Sequence, residues 1–326
     1  VFKDIVNRTE TEVLNKFLFS IVILNSIAAV LYFVHQGLHI SIYTTSKEYL
    51  AEIVDGETIT RTFWFMPNLL FFSISYLLVI KKSKSLINII LLVVNIMAVY
   101  ISYTRTSLII IVLILLVFYL LTGYKSMNFK KSIRGLILIA AAGITMFFTV
   151  SSFLPTSTKY FISRFKDLEK SPVDAHSNNL VYRFYKTGLV INKMDPVKTL
   201  FGYGPVTETQ MLFMKYVKKA TDDMAWAEIV FRWGFLGLIV FFLLYIVSII
   251  KAFFLFMKTD GLISKLALLF LLVIFAQLVD SFTQSTIMYP NRFPLSLWHF
   301  GILSALLSIY KRNESIQPIE LAEDNY

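Results

Sequence analysis

The stretch V99-Y-I-S-Y-T-R-T-S-L-I-I-I-V-L113 decides how this chain must fold. A single arginine, Arg105, stands inside a nearly unbroken apolar run, flanked by Ser102, Thr104, Thr106 and Ser107 and with no loop of ordinary length around it. A guanidinium at the centre of a bilayer costs about 2.5–3.5 kcal/mol on insertion scales. At the interface it costs much less, because the apolar stem reaches out and leaves the charge in water. The stretch therefore reads as the tip of a tight hairpin, with two membrane spans meeting at 104–106.

The composition agrees with a polytopic membrane protein. Of the 326 residues, 56% are hydrophobic and only 16% charged, where a soluble domain carries roughly a quarter charged residues. The mean hydropathy is +0.67. Thirty Phe and 17 Tyr suit lipid-facing surfaces and interfacial belts. The absence of cysteine excludes disulfides, thiolate nucleophiles and thiolate metal sites. His35, His39, His176 and His299 are too scattered to suggest a zinc site, so no metal and no cofactor is expected. Basic residues give a net charge of +10 but are dispersed and form no recognition motif, which argues against nucleic acid. No cleavable signal is visible, and a chain that starts at Val1 leaves room for preceding spans.

Eight spans are expected, at about 17–34, 64–80, 86–103, 107–121, 135–153, 233–250, 266–281 and 294–310. The expected fold class is all-α, with a membrane region over 1–153 and a helical extracytoplasmic loop over 154–226. A second membrane region follows over 227–310, and a cytoplasmic tail over 311–326. Orientation follows from Lys and Arg in short loops. Segments 81–85, 122–134 and 251–265 are basic and alternate correctly, so they and both termini face the cytoplasm. The 104–106 turn, segments 35–63 and 282–293 and the long loop then lie outside. Within that loop, Asn179–Met194 reads as an amphipathic helix ended by Asp195-Pro196, and Glu208–Lys219 as a second short helix.

Arg105 is either an interfacial anchor or the lining of a polar cavity that holds an anion. Arginine suits the second role because its planar fork grips phosphate bidentately and keeps its proton. Arg61, Arg164, Arg183 and Arg292 are on the same side, each read alone as a solvated or headgroup-facing charge. Arg183, Lys186 and Lys193 share one face of the 179–194 helix. Together these cations would suit a lipid-attached pyrophosphate.

The order of features resembles the bacterial O-antigen polymerase and ligase family over roughly 57–250. The passages that carry the resemblance are E57-T-I-T-R-T-F-W-F-M-P-N68, S102-Y-T-R-T-S-L108, N179-L-V-Y-R-F-Y185, D195-P-V-K-T-L-F-G-Y-G204 and D222-D-M-A-W-A-E-I-V-F-R-W-G-F-L-G-L238. The resemblance implies an extracytoplasmic loop capping a cavity, arginines gripping a polyprenyl pyrophosphate, and glycosyl transfer without a metal. By the same resemblance Arg105 and Arg183 are the gripping residues, with Arg164 and Arg61 beside them. Two departures matter. Asp223 stands where ligases have His, which favours a polymerase. Arg232 stands where many relatives have an acid.

The implied reaction transfers a glycan from one lipid pyrophosphate to a sugar hydroxyl of the next unit. It needs fixed positive charge on the leaving pyrophosphate and a carboxylate to take the acceptor proton. Asp223 is the candidate base, with Asp222 second. Both also read as the cap of the helix that follows. Glu228 and Arg232 read as a structural i, i+4 pair. Gly202-Tyr203-Gly204-Pro205 reads as a turn or as a set of N–H groups facing phosphate. Asp280 reads as a partner for Arg292 or Arg105, and His176 as an exposed loop residue. The expected partners are a polyprenyl-pyrophosphate-linked oligosaccharide, the bilayer, a chain-length regulator and a flippase. The alternatives are a ligase with another acceptor, a transporter or flippase of lipid-linked sugars, and a non-catalytic member of a glycan-assembly complex.

Overall fold

The computed structural model describes residues 2–37, 50–54, 57–61, 67–80, 85–102, 104–153, 158–159, 162, 188, 191–192, 194–204, 225–282 and 293–314. The chain is almost entirely helical within them. Helix α1 covers Phe2–Tyr32 and widens into a π turn over Phe33–Gly37; α2 covers Pro67–Val79, α3 Leu86–Ile101, α4 Arg105–Ser126 and α5 Phe129–Phe153. The short α6 covers Pro196–Phe201, followed by α7 over Ala225–Lys258, α8 over Gly261–Ser281 and α9 over Phe293–Glu314. The described residues of the eight expected apolar stretches are almost all helical. Among the described residues, four helical segments are long and apolar enough to cross a membrane: Thr11–His35, Arg105–Ser126, Ala225–Lys258 and Gly261–Ser281.

The all-α expectation needs one correction. Strands β1, Leu50–Val54, and β2, Glu57–Arg61, pair antiparallel from Leu50↔Arg61 to Val54↔Glu57. The signal was in the sequence. Thr58, Ile59 and Thr60 favour strand, and the two residues between the pairing ends are Asp55 and Gly56, which favour a tight hairpin. The expected span at 17–34 lies within the apolar segment Thr11–His35, while the helix itself begins earlier, at Phe2. Charges such as Lys3, Asp4, Arg8, Glu10 and Glu12 end a membrane span but do not end a helix.

Helix α8 is the centre of the bundle. It is apolar on every side, so no orientation leaves a polar face for water, and it can only be surrounded. It packs against α2, α4, α7 and α9. Leu266 through Ile274 are all buried along it. The periphery is the reverse of a soluble protein. Leu24 and Ile27 on α1, Leu86 and Ile87 on α3, and Val240 and Leu243 on α7 are exposed, as expected of faces that meet lipid rather than water.

Helices α1, α2 and α3 are joined by a buried polar network. Asn25 Nδ2 donates to Ser73 Oγ at 2.9 Å and to Asn95 Oδ1 at 2.9 Å. Asn95 Nδ2 donates to Ser26 Oγ at 2.7 Å and to the Leu91 carbonyl at 2.8 Å. Polar side chains in an apolar bundle act as interhelical glue. Between α4 and α5 the joint is steric. A Cβ on Gly135 would stand 2.1 Å from the Tyr119 ring, so glycine lets the two helices close. The connection is a left-handed Met127 with Asn128 N–H donating back to the Gly123 carbonyl at 3.1 Å, a Schellman-type ending.

One end of the bundle is closed by Lys125, near the end of α4. Its ammonium donates to the carbonyl of Phe256 at 2.7 Å, to that of Thr259, and to Ser264 Oγ at 2.8 Å. The carbonyl oxygens at the end of α7 carry the negative end of the helix dipole, so a cation fits there. Segments 122–134 and 251–265 are thereby on the same face of the bundle.

Candidate functional site

The opposite end of the bundle carries Arg105 and the 195–204 turn. The polar residues around Arg105 have a structural task of their own. Ser102 ends α3, with its N–H donating to the Ala98 carbonyl at 3.1 Å and its Oγ donating to the Val99 carbonyl at 2.7 Å. Thr104 then uses Ser102 as partner, its N–H donating to Ser102 Oγ at 3.3 Å and its Oγ1 to the Ser102 carbonyl at 3.2 Å. Short polar side chains thus satisfy backbone groups that a tight turn would otherwise strip of partners. This leaves Arg105 as the first residue of α4, half-buried.

Helix α7 breaks near the same level. Gly234 inside it has φ 67° and ψ −171°, so the helix is two rods joined at a glycine. The break is filled by α6 and the turn after it. Asp195 caps α6 by accepting from the Val197 N–H at 2.8 Å, and Pro196 follows as the first helical residue. Gly202, with φ 77°, ends α6. The Tyr203 N–H then donates to the Phe231 carbonyl at 2.9 Å, and the Gly204 N–H to the Arg232 carbonyl at 2.8 Å. Carbonyls that the break removes from the helical ladder are satisfied by a distant part of the chain. Such satisfaction is the condition for irregular backbone at the edge of an apolar bundle.

The two glycines are reciprocal. A Cβ on Gly202 would lie 2.2 Å from the Arg232 carbonyl oxygen, and one on Gly234 would lie 2.1 Å from the Leu200 carbonyl oxygen. Their φ and ψ values fall in a region open essentially to glycine alone. Around this lock, Tyr203 and Phe231 rings stand 5.0 Å apart, and Lys198 Nζ lies 5.7 Å from the Tyr203 ring centre. Arg232 Nη2 meets Glu228 Oε1 at 2.6 Å, the i, i+4 pair expected from the spacing.

Lys125 donates to Ser264 and to the end of α7, which sets a common zero for heights along three helices. At about 1.5 Å of rise per residue, Arg105 stands about 30 Å above it on α4, Asp280 about 24 Å above Ser264 on α8, and Gly234 about 33 Å above Phe256 on α7. Arg105, Asp280 and the break therefore share one end of the bundle. Helix α8, which bears Asp280, packs against both α4 and α7. Gln277, Asp280 and Ser281 are all buried there. A buried carboxyl and a half-buried guanidinium at the end of an apolar bundle are costly unless they are paired or used.

These contacts decide between the two readings of the Gly202–Pro205 stretch. The Gly202, Tyr203 and Gly204 N–H groups are all engaged, the first with the Lys198 carbonyl at 2.6 Å, so they are not a phosphate cradle. The turn reading is the correct one. Asp195 begins α6 rather than only ending what precedes it. Of the other predicted residues, Asp222, Asp223, Arg164, Arg183, Lys186 and Arg292 lie outside the described residues, as do His176 and the side chain of Arg61. The expected helices at 179–194 and 208–219 lie largely or wholly outside them too. Comparison of the chain with family models, with curated proteins and with solved structures finds no match.

Proposed function

We propose that the protein polymerises lipid-pyrophosphate-linked oligosaccharide repeats at the outer face of the bacterial cytoplasmic membrane, as a metal-independent glycosyltransferase of O-antigen, capsule or exopolysaccharide type. In this reading eight helices span the membrane, both termini are cytoplasmic, and the Lys125 end faces inward. A chain-length regulator and a flippase are its natural partners. One observation supports the reading above others. Two of the passages that carry the resemblance to the polymerase and ligase family, 195–204 and the described part of 222–238, from Ala225 on, meet through reciprocal glycines at the same end of the bundle as Arg105.

The chemistry asks for little from the protein. The acceptor hydroxyl attacks the anomeric carbon of the donor glycan, the bond from that carbon to the phosphate oxygen breaks, and the polyprenyl pyrophosphate leaves. Asp223 takes the hydroxyl proton, with Asp222 second to it. Arg105 and Arg183 hold the charge that develops on the pyrophosphate, and Arg61, Arg164, Lys186 and Arg292 extend the basic surface toward the substrate. The Gly202–Gly234 lock would fix the segment before Asp222 against the helix that follows it.

The test is reconstitution of purified protein with a polyprenyl-pyrophosphate oligosaccharide, with and without chelator. A ladder of products that persists with chelator is expected. Transfer only to a foreign acceptor means a ligase, and movement across vesicles without a new bond means a transporter. Arg105→Lys is expected to insert normally and to lose most of the product, because a point charge does not replace the fork. Full ladders from that variant would remove Arg105 from the site.

A further inference from the structure

The outward face of α6 is apolar where a water-facing segment should be polar. Val197, Leu200 and Phe201 fall at i, i+3 and i+4 and so share one side of the short helix. They are 63%, 44% and 61% exposed. Beside them on α7, Trp233 is 46% exposed and Leu236 43%. Burial would normally claim such side chains, since leaving a large apolar residue in water costs about 1.5–3 kcal/mol.

The height of this patch is fixed by two observations. First, the Gly202–Gly234 contact ties the end of α6 to the α7 backbone, so α6 does not move independently of that helix. Second, α7 carries no charge between Arg232 and Lys251. Those residues, Trp233 to Ile250, rise about 27 Å, close to the hydrocarbon thickness of about 30 Å. If Lys251 marks one boundary of the apolar layer, Trp233 and α6 stand at the other. Tryptophan is enriched at that depth. Below Trp233, exposure continues through Leu236, Val240 and Leu243 on α7. The α6 patch is thus the upper end of a lipid-facing stripe. Lys198, exposed on the same short helix, supplies a cation at headgroup level.

We propose that the α6 face, Val197, Leu200 and Phe201 together with Trp233, is a membrane-surface anchor. It is seated at the boundary between headgroups and acyl chains in the leaflet at the Arg105 end. Its occupant is the bilayer itself. The consequence is that the turn over Gly202–Gly204, and the segments joined to it, are held at a constant height above the lipid. The inference requires α7 to cross the bilayer and does not depend on the glycosyl-transfer reading.

The chain has no cysteine, so single labels are clean. Val197→Cys and Phe201→Cys, each carrying a nitroxide, are reconstituted into phosphatidylcholine–phosphatidylglycerol vesicles. Collision with oxygen, which partitions into lipid, is compared with collision with a water-soluble nickel chelate. Val240→Cys provides the lipid reference and Asn192→Cys, exposed just before α6, the water reference. Both α6 labels are expected about 5–10 Å inside the headgroup boundary, with high oxygen access and several-fold less nickel access than at Asn192. Nickel access equal to that at Asn192 would mean a water-facing helix and would overturn the anchor. Exclusion of both agents would mean that protein, such as a second copy of the chain, covers the patch, and would overturn it equally. Each variant is checked for an unchanged melting temperature, and the two positions report independently.

Discussion

The two ends of the bundle are closed by opposite means. At the Lys125 end, one flexible side chain reaches across to helix-terminal carbonyls and a serine. At the Arg105 end, α6 and α7 close backbone against backbone, with glycine on both sides and no room for a Cβ. A side-chain clamp tolerates adjustment of its surroundings, because four carbon–carbon torsions can follow a moving partner. A backbone lock has no such play. The contrast places rigidity where the candidate site is and adaptability where the cytoplasmic loops are expected.

The largest expected effect comes from breaking the lock. Gly234→Ala adds a methyl at 2.1 Å from the Leu200 carbonyl oxygen and imposes a φ that alanine avoids. Strain of this kind costs about 1–3 kcal/mol before the clash is counted, so a loss of at least about 3 kcal/mol is expected, in the range seen for severe variants. Gly202→Ala should do nearly the same from the other side. Melting in detergent and the rate of proteolysis around 195–204 are the readouts. If either variant melts like the parent with unchanged cleavage, the reciprocal contact is not what holds α6.

Lys125→Met should rank second. It removes a cation from the Phe256 and Thr259 carbonyls and from Ser264 while keeping much of the side-chain volume. Charge-assisted hydrogen bonds contribute about 1.5–3 kcal/mol each, but the exposed chain end can turn to water, so about 2–3 kcal/mol in total is expected. Cleavage around 195–204 should stay at the parent rate. A Lys125 variant that also loosened α6 would show that the two ends are one cooperative unit.

Asn95→Leu tests a third joint, away from both ends. It deletes the donor to Ser26 and the acceptor for Asn25. Interhelical hydrogen bonds in bilayers are worth about 0.6 kcal/mol on average and at most about 1.7, so a loss of about 1–2 kcal/mol is expected for the set. Thermal unfolding of Asn95→Leu beside the parent measures it directly.

How much of this was legible before folding depends on the kind of signal. The apolar periods that define α3, α4, α7 and α8 extend over many residues and are read from any window. Glu228 and Arg232 were legible because a helix fixes their spacing. The Ser102 and Thr104 turn is half legible: the polarity beside Arg105 marks the hairpin tip, but the sequence does not show which backbone groups those side chains satisfy. Asn25, Ser73 and Asn95 were missed because each looks like a tolerated polar residue in its own span, and only the packing of three helices reveals the set. The break at Gly234 was hidden by its neighbours. A glycine within an apolar run reads as helix until a distant turn supplies partners for the freed carbonyls. The β1–β2 pair is masked in the sequence by the apolar spans on either side, although Asp55-Gly56 favours a hairpin between its strands.

The smallest effect sharpens the comparison most. Lys125 Nζ also stands 3.2 Å from Asp260 Oδ1, and a reading by charge alone would credit the clamp to that ion pair. Asp260 is 96% exposed while Lys125 is 23% exposed. Water screens a pair with one arm so open, and pairs of this type contribute little that can be measured. The carbonyl acceptors, by contrast, belong to a helix end left short of donors, where Phe256 shares its carbonyl between Lys125 and the Ser264 hydroxyl at 3.0 Å. Asp260→Asn should therefore leave the melting temperature unchanged at low and at moderate salt, while Lys125→Met lowers it in both. If Asp260→Asn destabilised the protein at low salt and the loss vanished as salt was added, the ion pair would be the source of the clamp, and the helix-end account of Lys125 would fail.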